Sequence, residues 1–317
     1  MLRFKAQREW LRPLVTLAFV VILATVFSPR QDGFPIFWKT ANLANVLRQI
    51  SDIGILAMGM TLVIISGGID LSVGSLLALS GTVFAYTFAT NEASPVLAVA
   101  LALLLTSAFG LASGLVVTRL RLQPFVVTLA AMIGARGLAR WWTGNETVAV
   151  GWDERTRAFV DFVGQKPFVV AVFLAVTAVC LVLLNGTRFG RYLRAVGGNE
   201  ETARLSGISV DFVKARVYLL SGVIAGIAGV LHACETQQGD PKAGTAYELD
   251  AIAAAVIGGT SLMGGRGGVS GTLVGALALG IVSNILGLNN VDENVQWMLK
   301  AAIIIAAVWL QRAGQAR

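Results

Sequence analysis

The sequence predicts an all-α, polytopic membrane protein of about ten transmembrane or partial helices, and three observations carry that prediction. Of 317 residues, 56% are hydrophobic and only 14% charged, whereas roughly a quarter of a soluble domain is charged. The mean hydropathy is +0.73. Apolar runs recur along the whole chain, and a bilayer crossing takes about 20 such residues. The formal charge of +7 fits this pattern, because the basic residues sit between the apolar runs as topology signals. Lipid is the expected surrounding, and nucleic acid is not an expected partner. One histidine, His232, and two cysteines in apolar stretches, Cys180 and Cys234, give no basis for a metal centre or a disulfide framework. No cofactor is expected.

The runs fall in order. The first, 13–28, follows Arg3, Lys5, Arg8 and Arg12. Ser28-Pro29-Arg30 after it lacks a small-x-small cleavage pattern, so it reads as an uncleaved span. Runs 43–66 and 70–89 flank the pair Gly67-Gly68, and runs 95–118 and 124–140 follow. Runs 167–185 and 216–235 come next, then 249–263 and 268–287 around a second glycine-rich stretch, then 295–311. Several are short for a straight crossing and read as broken or partial helices. If every run crosses, most basic residues, among them Arg119, Arg121, Arg188, Arg266, Arg312 and Arg317, share the side of the amino terminus. The other side holds Arg30, Lys39, Arg155, Arg157, Lys166 and Lys242. That bias predicts cytoplasmic termini. The whole of 1–317 then reads as one transmembrane domain with an outer loop at 141–166 and an inner loop at 186–215.

The inner loop reads GTRFGRYLRAVGGNEETARLSGISVDFVKA. Arg191 and Arg194 lead to Gly197-Gly198, then Asn199 and Glu200 open a short helix over about 200–205 that contains Arg204 and stops at Gly207. Asn199 is a good N-cap, the acidic residues suit the helix dipole, and glycine suits the stop. Such a helix is too short to stand alone in water. It is either a solvated loop carrying topology charges or a docking element on the membrane face.

The first glycine-rich constellation is Ser66-Gly67-Gly68-Ile69-Asp70-Leu71-Ser72. The glycines interrupt the helix. Asp70 can cap the next helix by accepting from the amide of Ser72 or Val73, and its carboxylate can also face a water-filled pathway. The second runs from Gly258-Gly259-Thr260-Ser261 to Gly268. It lacks the lysine and Ser/Thr ending of a phosphate-binding loop and reads as a turn between helices at the inner surface. Gly67, Gly68, Leu71 and Gly74 match Gly258, Gly259, Leu262 and Gly265 at a constant offset, a faint internal repeat. Glycine-broken apolar segments in corresponding halves mark transport pathways, so both stretches are candidate pathway residues. Arg48 and Asp52 share a helix face and are expected to pair. Arg136 and Arg140 are expected to snorkel to the interface. Gly110/Gly114, Gly222/Gly226 and Gly271/Gly275 permit close helix packing. GxSxG and HExxH motifs are absent from the sequence, which argues against an enzyme.

MTLVIISGGIDLSVGSLLALSG (60–81), QPFVVTLAAMIGARGLA (123–139), GRYLRAVGGNEETARLSGI (190–208) and YELDAIAAAVIGGTSLMGGRGGVSGTLVGALALG (247–280) resemble the permease subunits of bacterial ATP-binding cassette sugar importers. The resemblance is to the ribose/xylose/arabinose group, nearest its ribose branch. It implies a fold similar to vitamin B12-type importer permeases, in the bacterial inner membrane. It implies a second permease subunit, a cytoplasmic ATPase that hydrolyses the ATP, and a periplasmic sugar-binding protein. The cargo implied is a monosaccharide, ribose or another pentose, and the coupling element implied is Gly190 to Ile208. A proton- or ion-coupled carrier or channel using Asp70 is the alternative. A secondary carrier has no need to present the inner loop to an ATPase.

Overall fold

The computed structural model describes residues 2–315, with side chains described for 14–303 and 305. The side chains of Arg3, Lys5, Arg8, Arg12 and Arg312, and all of Arg317, therefore lie outside the described residues.

The chain is mostly helical. Helix α1 (Leu2–Phe27) leads into a hairpin, β1 (Arg30–Gln31) against β2 (Phe34–Pro35). Asp32 and Gly33 turn that hairpin with φ of 55° and 79°, the Asp-Gly signature of a tight turn. Next come α2 (Thr40–Ile65), α3 (Val73–Ala85) with a π-helical turn at Tyr86–Thr90, α4 (Pro95–Arg119) and α5 (Pro124–Trp142). Pro95 and Pro124 open their helices at the position where a missing N–H costs nothing. The outer loop expected at 141–166 holds β3 (Val148–Ala149) and α6 (Glu154–Val163). Asp153 caps α6, and the amide and hydroxyl of Thr156 hold its carboxyl below the usual range. Then follow α7 (Lys166–Gly186), α8 (Arg188–Gly198), α9 (Glu200–Leu205) and α10 (Val210–Thr236). Strand β4 (Gln238–Gly239) pairs antiparallel with β3, and α11 (Tyr247–Ile257), α12 (Val269–Leu288) and α13 (Glu293–Gln315) complete the chain.

Six helices among the described residues are long and apolar enough to cross a membrane: α2, α3 with its π turn, α4, α7, α10 and α12. Helices α2, α3 and α10 are buried at the centre, while α4 and α7 turn Leu104, Val179 and Val182 outward. Glycine sets the close packing of α10. Gly222 lies on Gly110 of α4, Gly114 on Ala215, and Gly229 on the Leu77 carbonyl of α3. The small-residue pairs are thus internal contacts of this chain.

Two expected side-chain arrangements are corrected. Arg48 and Asp52 do not pair with each other. Both face α10, where Arg48 forms an ion pair with Glu235 and Asp52 lies 2.7 Å from His232 Nδ1. Each finds its partner across the helix interface. Arg136 does not snorkel, since its Nη1 donates to the carbonyls of Pro241 (2.8 Å) and Ala243 (2.6 Å). Pro241 and Ala243 lie in the turn segment before α11, outside any helix, and their carbonyls need a donor. Arg155 does similar work on α6, donating to the carbonyls of Phe88 and Ala93 at the π-helical end of α3.

Candidate functional site

Helix α2 stops at the first glycine pair by a defined backbone route. Ser66 is the last near-helical residue, Gly67 takes φ +81°, and the Gly68 amide donates to the Val63 carbonyl at 3.1 Å. That i to i−5 bond with a left-handed glycine satisfies carbonyls a helix end leaves open. Helix α11 stops identically, with Gly259 at φ +90° and the Thr260 amide on the Ala255 carbonyl at 2.9 Å. The geometry therefore pairs Gly67 with Gly259, one residue away from the offset that the sequence matches suggest.

Beyond Gly68 the chain turns back beside α10. Gly68 abuts Tyr218, whose side chain would block any Cβ there. Asp70 is 1% exposed. Its Oδ1 accepts from the Ser72 amide (3.0 Å) and the Ser72 hydroxyl, and its Oδ2 accepts from the Ser221 hydroxyl at 2.7 Å. Thr128 of α5 donates to the Ile69 carbonyl at 3.2 Å. Ser221 lies about 17 Å along α10 from its first residue, and from there α3 runs alongside α10, with Ser80 donating to the Gly226 carbonyl. The segment that leads into α3 therefore lies inside the helix packing, with the amide of the N-cap residue Ser72 held by the Asp70 carboxylate. Tyr218 and Ser221 escape sequence reasoning. The one signal near them is the Gly222/Gly226 pair, which marks the same stretch of α10 as closely packed.

The second half-helix start lies beside the first. Gly244 and Gly74 are packed backbone to backbone, and Glu248 in the first turn of α11 sits over Gly74. Gly258, Gly259, Thr260 and Ser261 are not part of this meeting point. They belong to the turn 258–268, where the Ser261 amide donates to the Arg266 carbonyl and the Gly264 amide to the Ser261 carbonyl.

That turn meets the inner-loop helices. The Gly265 amide donates to the Ile65 carbonyl at 2.9 Å. A Cβ on Gly197 would collide with the Ile65 carbonyl and the Gly265 amide, and one on Gly264 would strike Gly67 and the Gly197 carbonyl. Gly197, Gly67 and Gly264–Gly265 thus form one junction, joining α8 to both helix stops. Gly197 and Gly198 belong to α8 itself, which runs unbroken from Arg188 to Gly198. Helix α9 spans Glu200–Leu205, with the Asn199 side chain accepting from the Thr202 amide at 2.8 Å. It stops at Gly207 (φ +80°) with the Ile208 amide on the Ala203 carbonyl. Arg204 reaches Asp211 at 3.0 Å and Lys214 bonds Glu200, tying α9 to α10 of its own chain. Arg194 donates to the Leu184 carbonyl and Asn185 and so braces α7 against α8, while Arg191 donates to the carbonyl of Thr187, the N-cap of its own helix. Leu205 and Met263 stand out from this face, 84% and 85% exposed.

A family model described as "Branched-chain amino acid transport system / permease component" matches residues 42–308. The ribose import permease protein of Escherichia coli (strain K12) is 41% identical over 97% of this chain and 96% of its own. That of Bacillus subtilis (strain 168) is 39% identical over 98% and 95%. The xylose transport system permease protein of Escherichia coli (strain K12) is 33% identical over 97% and 93%. No solved structure matches.

Proposed function

The chain belongs to the branched-chain amino acid transport system / permease component family, and on that premise we propose that it is the membrane-spanning subunit of an ATP-binding cassette importer for a monosaccharide. Ribose or another pentose is the cargo that the relatives' names favour. The assembly places this chain with a second permease subunit, of the same or a different sequence, in the bacterial inner membrane. A separate cytoplasmic ATPase supplies the energy and a periplasmic sugar-binding protein delivers the cargo. The single domain 1–317 then crosses or half-crosses the bilayer about ten times, with both termini in the cytoplasm and a fold similar to vitamin B12-type permeases.

The junction at Gly197 is the observation that supports coupling through the inner loop. An ATPase that pushes on α8 and α9 pushes through Gly197, with no intervening side chain, on the ends of both broken elements. Arg191, Arg194, Gly197, Gly198, Asn199, Glu200, Arg204 and Gly207 build that element. Its exposed Leu205 is the contact point we assign to the ATPase. Ser66, Gly67, Gly68, Asp70 and Ser72, with Gly258, Gly259, Thr260 and Ser261, are the pathway residues whose movement that push would control.

Reconstitution tests the reading. The permease with its ATPase and sugar-binding protein should accumulate ribose only with ATP, and the permease alone should not. Leu205→Glu should keep the membrane level of the protein and lose ATP-driven uptake, and a cysteine at 205 should cross-link to the ATPase. Accumulation by the permease alone, driven by a proton gradient, would overturn the proposal in favour of a carrier using Asp70.

A further inference from the structure

The first turns of α3 and α11 form one wall of a cleft of about 410 Å³, and α5 forms the other. Small-molecule sites span roughly 300–1,000 Å³. Five polar residues line it, Ser75, Thr245 and Glu248 on one side and Arg136 and Arg140 on the other, and three of them carry the argument. Ser75, on α3, is 1% exposed, and its hydroxyl lines the cleft with no hydrogen-bond partner among the described residues. Glu248, on α11, brings its carboxylate against Gly74 at the N-terminal turn of α3 and forms no ion pair among the described residues. Arg136 commits Nη1 to the carbonyls of Pro241 and Ala243, which leaves Nη2 and Nε of its guanidinium for another acceptor. Met132 and Ile133 of α5 supply an apolar wall beside these groups, and Ile133 is exposed.

We propose that this cleft is a binding site for a neutral, polyhydroxylated small molecule, a monosaccharide in transit. The claim rests on the importer reading above and names where that cargo touches this chain. A sugar ring has one face of C–H groups and a rim of hydroxyls that both donate and accept. Glu248 can only accept, Arg136 can only donate, and Ser75 can do either. The lining sets one anion, Glu248, against two cations, Arg136 and the exposed Arg140, so selection of a sugar rests on the pattern of donors and acceptors rather than on net charge. The apolar wall suits the C–H face. The site depends on the break after α2, which brings the start of α3 to the cleft, and on residues 240–246, which bring the start of α11.

The test uses the complete importer in proteoliposomes, with Cys180 and Cys234 replaced by serine and a single Ile133→Cys probe. Ribose should slow modification of that cysteine by a thiol reagent several-fold. Glu248→Gln should abolish the protection and raise the KM for ribose uptake about tenfold, the cost of one charge-assisted hydrogen bond, with a smaller change in kcat. Ser75→Ala, which removes one oxygen and alters no charge, should raise KM by less. Uptake with no ribose protection, or wild-type KM in both variants at normal abundance, would overturn the site. Protection without any uptake would keep the site and sink the importer reading.

Discussion

Helices α2 and α11 end on the same backbone device, a left-handed glycine followed by an amide that donates back five residues, but the chain leaves the two stops differently. After α2 it turns inward, and the next helix starts among buried side chains, so Asp70, Ser72 and Ser221 supply the hydrogen bonds. After α11 it wanders through 258–268, where Gly264, Gly265 and Gly267 hold φ of 82°, 71° and 144° and Met263 is exposed. In that turn the Ser261 hydroxyl accepts from the Met263 amide at 3.3 Å, beside the backbone bonds of Ser261 and Gly264. The first stop is followed by a buried cluster of polar side chains, the second by a turn held largely by its own backbone.

The sharpest way to break that contrast is at Asp70. Asp70→Leu strips acceptors from the Ser72 amide and two serine hydroxyls. Each buried orphan costs about 1–3 kcal/mol, so the variant should fail to accumulate or melt far earlier in detergent. Asp70→Asn keeps an acceptor and should retain most stability. If leucine is tolerated, buried side-chain bonding is not what restarts α3.

Next in size is Gly197→Ala, which touches both stops at once. Its methyl would meet the Ile65 carbonyl and the Gly265 amide, and overpacking of this kind costs about 1–3 kcal/mol. Gly198→Ala, with open space around it, is the control and should be near neutral in thermal melting. The matched pair Gly67→Ala and Gly259→Ala should cost about 1 kcal/mol each, from left-handed strain alone, since neither position has an atom within reach of a Cβ. Unequal melting shifts would show that the two stops are not equivalent. The smallest effect belongs to Tyr218→Phe. The Tyr218 hydroxyl is buried without a hydrogen-bond partner among the described residues, so its removal should leave stability unchanged or slightly raised.

Much of this was legible in the sequence, for identifiable reasons. Gly67-Gly68 and Gly258-Gly259 announce the stops because few other residues accept φ near +80°. Asn199, Glu200 and Gly207 fix the ends of α9 because capping is local chemistry. The role of Gly197 is not legible, since it closes α8 and is kept small by the backbone of Ile65 and Gly265, which arrive from distant parts of the chain. The expected Arg48–Asp52 pair fails for the same reason. Spacing along one helix is visible in sequence, but the arrival of Glu235 and His232 from α10 is not. The tie between Arg204 and Asp211 is equally invisible in sequence, and reversing the charge of Arg204 would disturb α9 as well as any docking.

Helix α2 also carries a problem of timing. Asn42 exchanges amide hydrogen bonds with Asn284, and Thr61 bonds Thr272 at 2.6 Å. Arg48 and Asp52 wait for Glu235 and His232. Every one of these partners is translated long after α2 has left the ribosome. At roughly 5–20 residues per second, the second segment to be made must hold four polar side chains for on the order of ten seconds or more before their partners exist. A nascent α2 is therefore a poor candidate for release into lipid on its own. Its insertion calls for a protected waiting place beside the translocation machinery until α10 and α12 arrive, which makes the order of synthesis a constraint on how this chain can be cut, permuted or fused.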